Sequence, residues 1–219
     1  MSDAGPELEL RTGWVAAELA AEHPGLRLRW LDVPARPGPS PPGVAQRLAR
    51  MSDRFRGAQA VALRRQPVPW AYRVFYRHVG LDPDVDRTPI EAAAVRRLLD
   101  GAFRSRGRLD DALLIGLLET GVPLWALDAD AVEGALGIRP AEAGERLGRG
   151  PGPPPLPAGR LVVADERGAL AGLFDAPPAE HGARSGTPRV RLFSVQVPAV
   201  PDIHVEEAMF ACAGLLVEE

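Results

Sequence analysis

The chain has 219 residues, 46% hydrophobic and 25% charged, with 5% aromatic residues and a net charge of −3. These ordinary globular values exclude wholesale disorder, and the acidic balance confines any nucleic-acid contact to a local basic patch. A single cysteine, Cys212, excludes an intramolecular disulfide and a multi-cysteine zinc site, and its apolar neighbours favour a buried thiol over a nucleophile.

Helices dominate the elements predicted for the first half of the chain. An alternating stretch at residues 7–10 favours a short strand, and the spacing of apolar residues predicts helices after it. The predicted helices are 12–25, 44–57, 68–80, 88–101 and 110–121, with a strand at 26–33 and a proline-rich loop at 34–43. Thr88, Pro89 and Glu91 form a capping-box pattern, and Gly121 is placed to end a helix.

Strands dominate the elements predicted for the second half. Strand-like stretches occupy 122–130, 134–141, 159–174 and 189–200, and the turn at 166–168 predicts a hairpin within the third of them. A second proline- and glycine-rich loop covers 148–159, and a helix is predicted for 204–219. This order predicts an α+β fold, with helices packed on a mostly antiparallel sheet and one domain over residues 1–219.

The sequence contains no familiar cofactor, metal or nucleophile motif. It has no lysine, which excludes a Walker P-loop, and it lacks the G-x-G-x-x-G and G-x-S-x-G patterns. His204 and Glu207 resemble half of a zinc-protease helix, but position 208 is Ala. We therefore expect no cofactor and no metal. The polar, acidic N-terminus and the absence of a long apolar run predict a soluble, cytoplasmic protein that does not contact membranes.

Arginine supplies all 26 basic residues, and asparagine is absent. The bias is typical of a GC-rich genome, although guanidinium groups also suit phosphate recognition. One basic run contains Arg96, Arg97, Arg104, Arg106 and Arg108, and another contains Arg47, Arg50, Arg54 and Arg56. Both interpretations stay open for these runs, namely phosphate binding and a solvated surface with nearby carboxylates.

A few other residues are candidates for a site. His181, with Ser185 and Thr187, lies on a polar loop that could line a pocket or be merely exposed. Acidic residues at 128, 130 and 133 could hold a cation, but the pattern favours a turn at the end of a strand. His23 and His78 each lie near a helix C-terminus, where a cation is stabilised, and both are interpreted as structural.

The order of three motifs resembles a known family. The stretches "YRVFYRHVGLDPDVDRTPIEAAAVRRLLDG", "TGVPLWALDADAVEGALGIRPAEAGERLG" and "GRLVVADERGALAGLF" together resemble the editing domain of the phenylalanyl-tRNA synthetase β subunit. The resemblance covers roughly residues 68–200, and the rest of that subunit is absent, as in a free-standing relative. It implies an α+β fold whose pocket receives tRNA mischarged with tyrosine and hydrolyses the ester by positioning a water molecule.

Several positions depart from the family pattern. Trp125 replaces a pocket histidine of the family, and Phe193 stands where the bacterial enzyme has the glutamate that reads tyrosine. Asp110 and Asp111 stand near the family asparagines, and "LFDAPPAEHGARSG" replaces a Gly-Gly turn. Asp128, Gly144, Glu145 and Asp165 match the family. The resemblance therefore implies a ligand pocket of Trp125, Asp128, Glu145, His181, Thr187 and Phe193, with tRNA phosphates bound by Arg104, Arg106 and Arg108.

Three functions follow as alternatives. An aminoacyl-tRNA binding or editing protein, with tRNA or aminoacyl-tRNA as partner, predicts a positive surface that leads from the pocket mouth to Arg104, Arg106 and Arg108. A non-catalytic module that binds an amino-acid-like small molecule predicts a closed apolar pocket around Trp125 and no such surface. The third alternative is a protein-interaction module with no ligand.

Overall fold

A computed structural model describes residues 8–55, 57–147 and 154–218. The helices in these ranges are α1 Ala17–Glu22, α2 Pro42–Arg54, α3 Gly57–Leu63, α4 Pro67–His78, α5 Pro89–Asp100, α6 Arg108–Thr120 and α7 Asp202–Val217, and a 3-10 turn covers Ala129–Ala131. The strands are β1 Arg11–Thr12, β2 Trp14–Val15, β3 Arg27–Pro34, β4 Trp125–Asp128, β5 Gly137–Pro140, β6 Leu161–Ala164, β7 Ala169–Gly172 and β8 Arg189–Gln196.

The strands form two mostly antiparallel sheets, which confirms the α+β class. The first sheet has the order β1-β3-β8-β4 and is antiparallel throughout. The second has the order β2-β5-β6-β7, with β2 parallel to β5 and the other pairs antiparallel. Packing on a single sheet was therefore the wrong expectation, because short strand-like stretches do not say which sheet they join.

The segment around Gly13 links the two sheets and corrects the predicted helix at 12–25. Thr12 pairs with β3 in the first sheet, and Trp14 pairs with Gly137 in the second. A Cβ at Gly13 would lie 2.3 Å from the carbonyl oxygen of Leu136, so only glycine fits where the chain crosses. The helix begins only at Ala17, and the strand expected at 7–10 is displaced to Arg11–Thr12.

The predicted helix ends are largely confirmed, although one helix was missed. Thr88 and Glu91 form the capping box of α5, and Gly121 ends α6 in the left-handed conformation with φ 76°. Gly80, predicted to close α4, follows its last residue His78 with φ 77°, and its N–H donates back to the carbonyl of Arg77. Helix α3 was missed because its small and polar residues carry no apolar periodicity. Arg56 and residues 148–153 of the second predicted loop lie outside the described ranges.

A buried ion pair fixes the turn between α4 and α5. Arg73 donates to Glu91 at 2.6 Å and to Asp84 at 2.7 Å, and both Arg73 and Glu91 are buried. The hydrogen bond from Arg73 lowers the pKa of the Asp84 carboxyl. The same carboxylate of Glu91 also caps α5 and pairs with Arg64 at 2.9 Å, so removal of either buried partner would break a network that joins both helices to the turn. This arrangement holds the connection that carries Asp86 and Arg87.

Helix α7 covers the first sheet and closes the main hydrophobic core. It packs against β3, β8 and α6, and its buried side chains include Met209, Cys212 and Leu216. Cys212 has no exposed surface, and burial raises the pKa of its thiol, which agrees with the expected core role. Among the described residues, no helix combines the length and apolarity needed to cross a membrane.

Candidate functional site

The place where the family resemblance puts a pocket is filled by aromatic rings. Trp125 on β4 is directly opposite Phe193 on β8, and their rings stack with centroids 5.6 Å apart. Trp125 is 8% exposed and Phe193 is fully buried. Phe174, just after β7, lies 6.4 Å from the Trp125 ring and packs in the same core. These side chains form a packed aromatic cluster with no polar group in the position of the family acid.

Phe174 separates this aromatic cluster from an open cavity. Its ring stacks at 4.6 Å on the ring of Tyr76, which comes from α4. Burial, and then the charges of Asp175 and other acidic neighbours, raise the pKa of the Tyr76 hydroxyl, which therefore stays protonated at neutral pH. The stacked rings of Phe174 and Tyr76 thus form an apolar wall of the cavity, and the only polar group on these two side chains is the uncharged Tyr76 hydroxyl.

We call this space the hairpin cavity, since the β6–β7 hairpin supplies one side of it. Its volume is about 510 Å³, which is in the range of sites for small molecules. The ends of α1 and α4 supply the opposite side. Besides Tyr76, its charged or titratable lining residues are Glu22, His23, His78, Asp86, Arg87, Arg160 and Asp175. The cavity therefore offers groups of both charges beside an aromatic wall.

Two histidines at helix ends meet in the hairpin cavity. The ring centroids of His23 and His78 are 6.4 Å apart, and the two rings are nearly parallel. Nε2 of His23 lies 3.8 Å from the carboxylate of Glu22, and the His23 ring also meets the ring of Phe75 at 5.1 Å. On the far side of the cavity, Arg160 and Asp175 form an ion pair at 2.5 Å.

Glu145, Asp165 and His181 come together at a separate, smaller cavity of about 140 Å³. Glu145 accepts two hydrogen bonds from Arg139 and one each from the backbone of Glu142 and Ala169. The bonds from Arg139 lower the pKa of the Glu145 carboxyl. Asp165 accepts two backbone N–H groups of the hairpin turn and a third from the distant residue Glu133. Both carboxylates are thus engaged in holding loops.

His181 lies on the expected loop but is buried and lines the small cavity, so the alternative of a merely exposed side chain is wrong. It is only 4% exposed because the following residue, Gly182, bridges to Leu127 of β4, and the His181 carbonyl accepts from the Asp128 backbone at 2.8 Å. Its Nδ1 has no hydrogen-bond partner among the described residues. Asp128 and Thr187 serve local turns, since each side chain accepts a nearby backbone N–H, from Asp130 and Arg184 respectively.

The arginines expected to bind phosphate divide into two groups. Arg104 and Arg106 are exposed, make no side-chain hydrogen bond or ion pair with a described residue, and line a groove of about 420 Å³ between α5 and α6. Arg96, which pairs with Asp100 at 3.5 Å, and Arg97 line the same arginine groove, whose lining also includes Asp110 and Asp111. Arg108 instead donates to the carbonyl of Glu218 at the end of α7. The structure therefore places Arg108 apart from the other two.

Buried Asp111 shapes the loop that carries Arg104 and Arg106. Its carboxylate accepts hydrogen bonds from the Ser40 and Ser105 hydroxyls and from the Arg106 backbone. Two loops are joined at this one carboxylate, and the arginine side chains are left on the outside. In the second basic run, by contrast, Arg47 is paired with Glu119 at 2.6 Å.

A surface depression connects the hairpin cavity to the arginine groove. Arg87 lines both the hairpin cavity and this depression, and Arg96 lines both the depression and the groove. Arg87, Arg104 and Arg106 form no ion pair with a described carboxylate, whereas Arg96 pairs with Asp100. The result is a route along the surface with exposed guanidinium groups from the cavity mouth onward.

Sequence reasoning missed most of the hairpin cavity. His23 and His78 were interpreted as structural because they lie at helix ends, and Tyr76, Arg160 and Asp175 carried no motif. The only available signal was the clustering of polar residues at the ends of predicted elements. No group of three or more His, Cys, Asp or Glu side chains within the described ranges is arranged to hold a metal ion.

Comparison with known proteins shows a partial similarity. The chain is similar to the phenylalanine–tRNA ligase β subunit of Streptomyces avermitilis, with 39% identity over 111 residues. The match covers 49% of this chain but only 13% of that relative. No family model matches the chain. The similarity supports a distant relationship to this β subunit.

Proposed function

We propose that the protein binds the aminoacyl end of tRNA, with the amino acid in the hairpin cavity and phosphates along the arginine groove. The observation that carries the proposal is the route of exposed arginines from the cavity mouth, through Arg87 and Arg96, to Arg104 and Arg106. The relative named above is a tRNA ligase subunit, which supports a tRNA-related role. A groove of guanidinium groups suits a polyanion, because each can form two hydrogen bonds to one phosphate.

The chemistry of the hairpin cavity suits an amino acid. Asp86 and Asp175 could attract its ammonium group, and the Phe174–Tyr76 wall could pack on an apolar or aromatic side chain. The cavity is open at one side, as an aminoacyl group attached to RNA requires. These features support binding of an amino acid by residues other than those that the family resemblance implies.

Hydrolysis of the aminoacyl ester is the catalytic form of this proposal. His23, oriented beside Glu22, is the candidate general base. It would take a proton from water while the water oxygen adds to the ester carbonyl carbon. The bond from that carbon to the ribose oxygen then breaks, and the proton passes to the ribose oxygen. Amino acid and tRNA are the products, so no further reactant is needed.

A non-catalytic module that binds a free amino acid or similar small molecule is the second candidate. The packed Trp125–Phe193 cluster favours it, because the family pocket is filled by apolar rings. Under this alternative the hairpin cavity binds its ligand without RNA, and the arginine groove is only a solvated surface.

The test measures tRNA affinity and ester hydrolysis separately. Charge reversal in Arg104→Glu/Arg106→Glu should weaken tRNA binding about tenfold or more and make the dependence of affinity on salt shallower. Arg50→Glu/Arg54→Glu is the matched control, since it reverses two exposed arginines of the other basic run and changes the net charge equally. Its affinity should stay close to that of the unchanged protein.

Mischarged tRNAs then decide between editing and binding. If hydrolysis occurs with any member of the panel, His23→Gln should slow it while the affinity for tRNA is retained. If charged tRNA is retained but not hydrolysed, the protein binds tRNA without editing it. If no tRNA is retained at low salt, the proposal is wrong, and binding of free amino acids by the same protein would support the second candidate.

A further inference from the structure

An apolar pocket next to the hairpin cavity is not used by the function proposed above. It lies between α4 and the connection from β8 to α7, has a volume of about 390 Å³, and is lined by Trp70, Val74, Phe75, Pro198 and Ala199 together with His78. Trp70 is 50% exposed and is the most exposed of the four tryptophans, of which Trp14 is 39%, Trp125 8% and Trp30 5% exposed. A half-exposed tryptophan in a concave apolar site offers a ring on which a flat ligand can stack.

The backbone at the edge of this Trp70 pocket is held in an unusual conformation. Ala199 has φ 69°, the only positive φ of a non-glycine residue in the described ranges. Such residues cost free energy and are retained where the surrounding structure requires them, often beside ligand sites. Here the conformation places Pro198 and Ala199 on the wall of the pocket opposite Trp70.

The position of the pocket indicates which flat ligand it would take. His78 lines both the Trp70 pocket and the hairpin cavity, so neighbouring units of one extended molecule could occupy the two. The arginine route leaves the hairpin cavity through Arg87. Three features thus adjoin one another, namely a ring for stacking, a cavity for the terminal group and guanidinium groups for phosphates. This combination is typical of sites for single-stranded nucleic acid.

We propose that an unpaired nucleobase near the 3′ end of the bound RNA stacks on Trp70 in this pocket. The inference rests on the proposed function, since tRNA is the source of the unpaired nucleotides. Bases of single-stranded RNA bind by stacking on aromatic side chains, and every base has a face that can do so. His78 is the polar group available to the edge of the base.

The experiment compares two RNA minihelices with the same stem, one with a single-stranded 3′-CCA end and one blunt. Trp70→Ala should weaken binding of the overhanging minihelix about tenfold and leave the blunt one unchanged, because loss of stacking affects only the unpaired base. Trp70→Phe, which keeps an aromatic face, should retain most of the affinity. Equal affinities for Trp70→Ala and the unchanged protein, or equal weakening with both RNAs, would overturn the inference.

A spectroscopic measurement covers the case in which Trp70→Ala does not fold. In a Trp14→Phe background, Trp70 is the remaining exposed tryptophan, so the overhanging RNA should protect its fluorescence from quenching by acrylamide. Unchanged quenching at saturating RNA would contradict stacking. A change in oligomeric state for Trp70→Ala, with RNA binding unaltered, would make the pocket a self-association surface and overturn the inference. If the unchanged protein binds neither RNA, the proposed function fails as well. If it binds RNA and Trp70→Ala binds RNA equally well, the proposed function is kept and only the inference about Trp70 fails.

Discussion

The two sides of Phe174 show how one residue can separate a closed region from an open one. On one side, Trp125 and Phe193 stack in the core and exclude water. On the other, Tyr76 and Asp175 face the hairpin cavity. On the closed side, Trp125 of the edge strand β4 packs against Phe193 of the inner strand β8, whereas the open side is formed by helix ends and a hairpin.

This comparison shows that aromatic packing can fill the positions where the resemblance implies a pocket while a cavity stays open beside them. The positions that the family uses for polar recognition are filled by aromatic side chains, which stabilise the core through buried area and stacking. The adjoining cavity keeps charged groups of both signs. We therefore expect substitutions on the closed side to change the free energy of unfolding and those on the open side to change binding.

The largest effect is expected for Phe193→Glu on the closed side. The substitution places a carboxylate at a fully buried position with no basic partner, which should lower the free energy of unfolding by about 3–5 kcal/mol. Urea unfolding measures this loss. Phe193→Leu is the control and should lose less, because it keeps an apolar side chain. A fully stable Phe193→Glu protein would mean that this side can admit water, contrary to the comparison.

An intermediate effect is expected for Glu145→Gln. This variant tests whether the small cavity beside His181 contributes to the stability of the fold, as the closed side does. The Arg139 hydrogen bonds lower the folded-state pKa of Glu145. The charged carboxylate therefore stabilises the fold at pH values above the ordinary glutamate pKa of about 4.5, and this stabilisation is lost as the pH falls through the folded-state pKa. At pH 7 the variant should lose about 1–3 kcal/mol.

The pH dependence of unfolding provides the check on Glu145. The difference between Glu145→Gln and the unchanged protein should shrink as the pH falls below about 4.5, the ordinary glutamate pKa. Glu142→Gln, with its exposed side chain, should match the unchanged protein at every pH. A difference that stays constant down to acid pH would show that the charge of Glu145 does not stabilise the fold.

The smallest effect on stability is expected for Arg160→Gln on the open side. Arg160 and Asp175 are both about half exposed, so their ion pair should contribute less than about 1 kcal/mol. Affinity for charged tRNA should nevertheless fall severalfold, because the variant changes the charge of the hairpin cavity. Isothermal titration and thermal unfolding of one preparation separate the two quantities. Unchanged affinity would place the cavity outside the binding site.

Local features of the sequence were sufficient to predict many of the elements. The capping box at Thr88 and Glu91, the helix end at Gly121 and the hairpin turn before Gly168 all have causes within a few residues. The strand at Trp14 could not be predicted in this way. Its side chain lies over Gly137, more than a hundred residues away, and the pairing that makes it a strand is with that distant segment.

By itself, the sequence determined the α+β class, the burial of Cys212 and the presence of aromatic residues at 125 and 193, since composition, periodicity and side-chain type decide these. Only the tertiary structure decided that the two rings stack into a closed cluster, that His181 is buried, and that Arg108 is separated from Arg104 and Arg106. It also brought His23, Tyr76 and Asp175 to one cavity. The physical reason is that these outcomes depend on contacts between segments far apart in the chain, and no local pattern encodes which distant surfaces will meet.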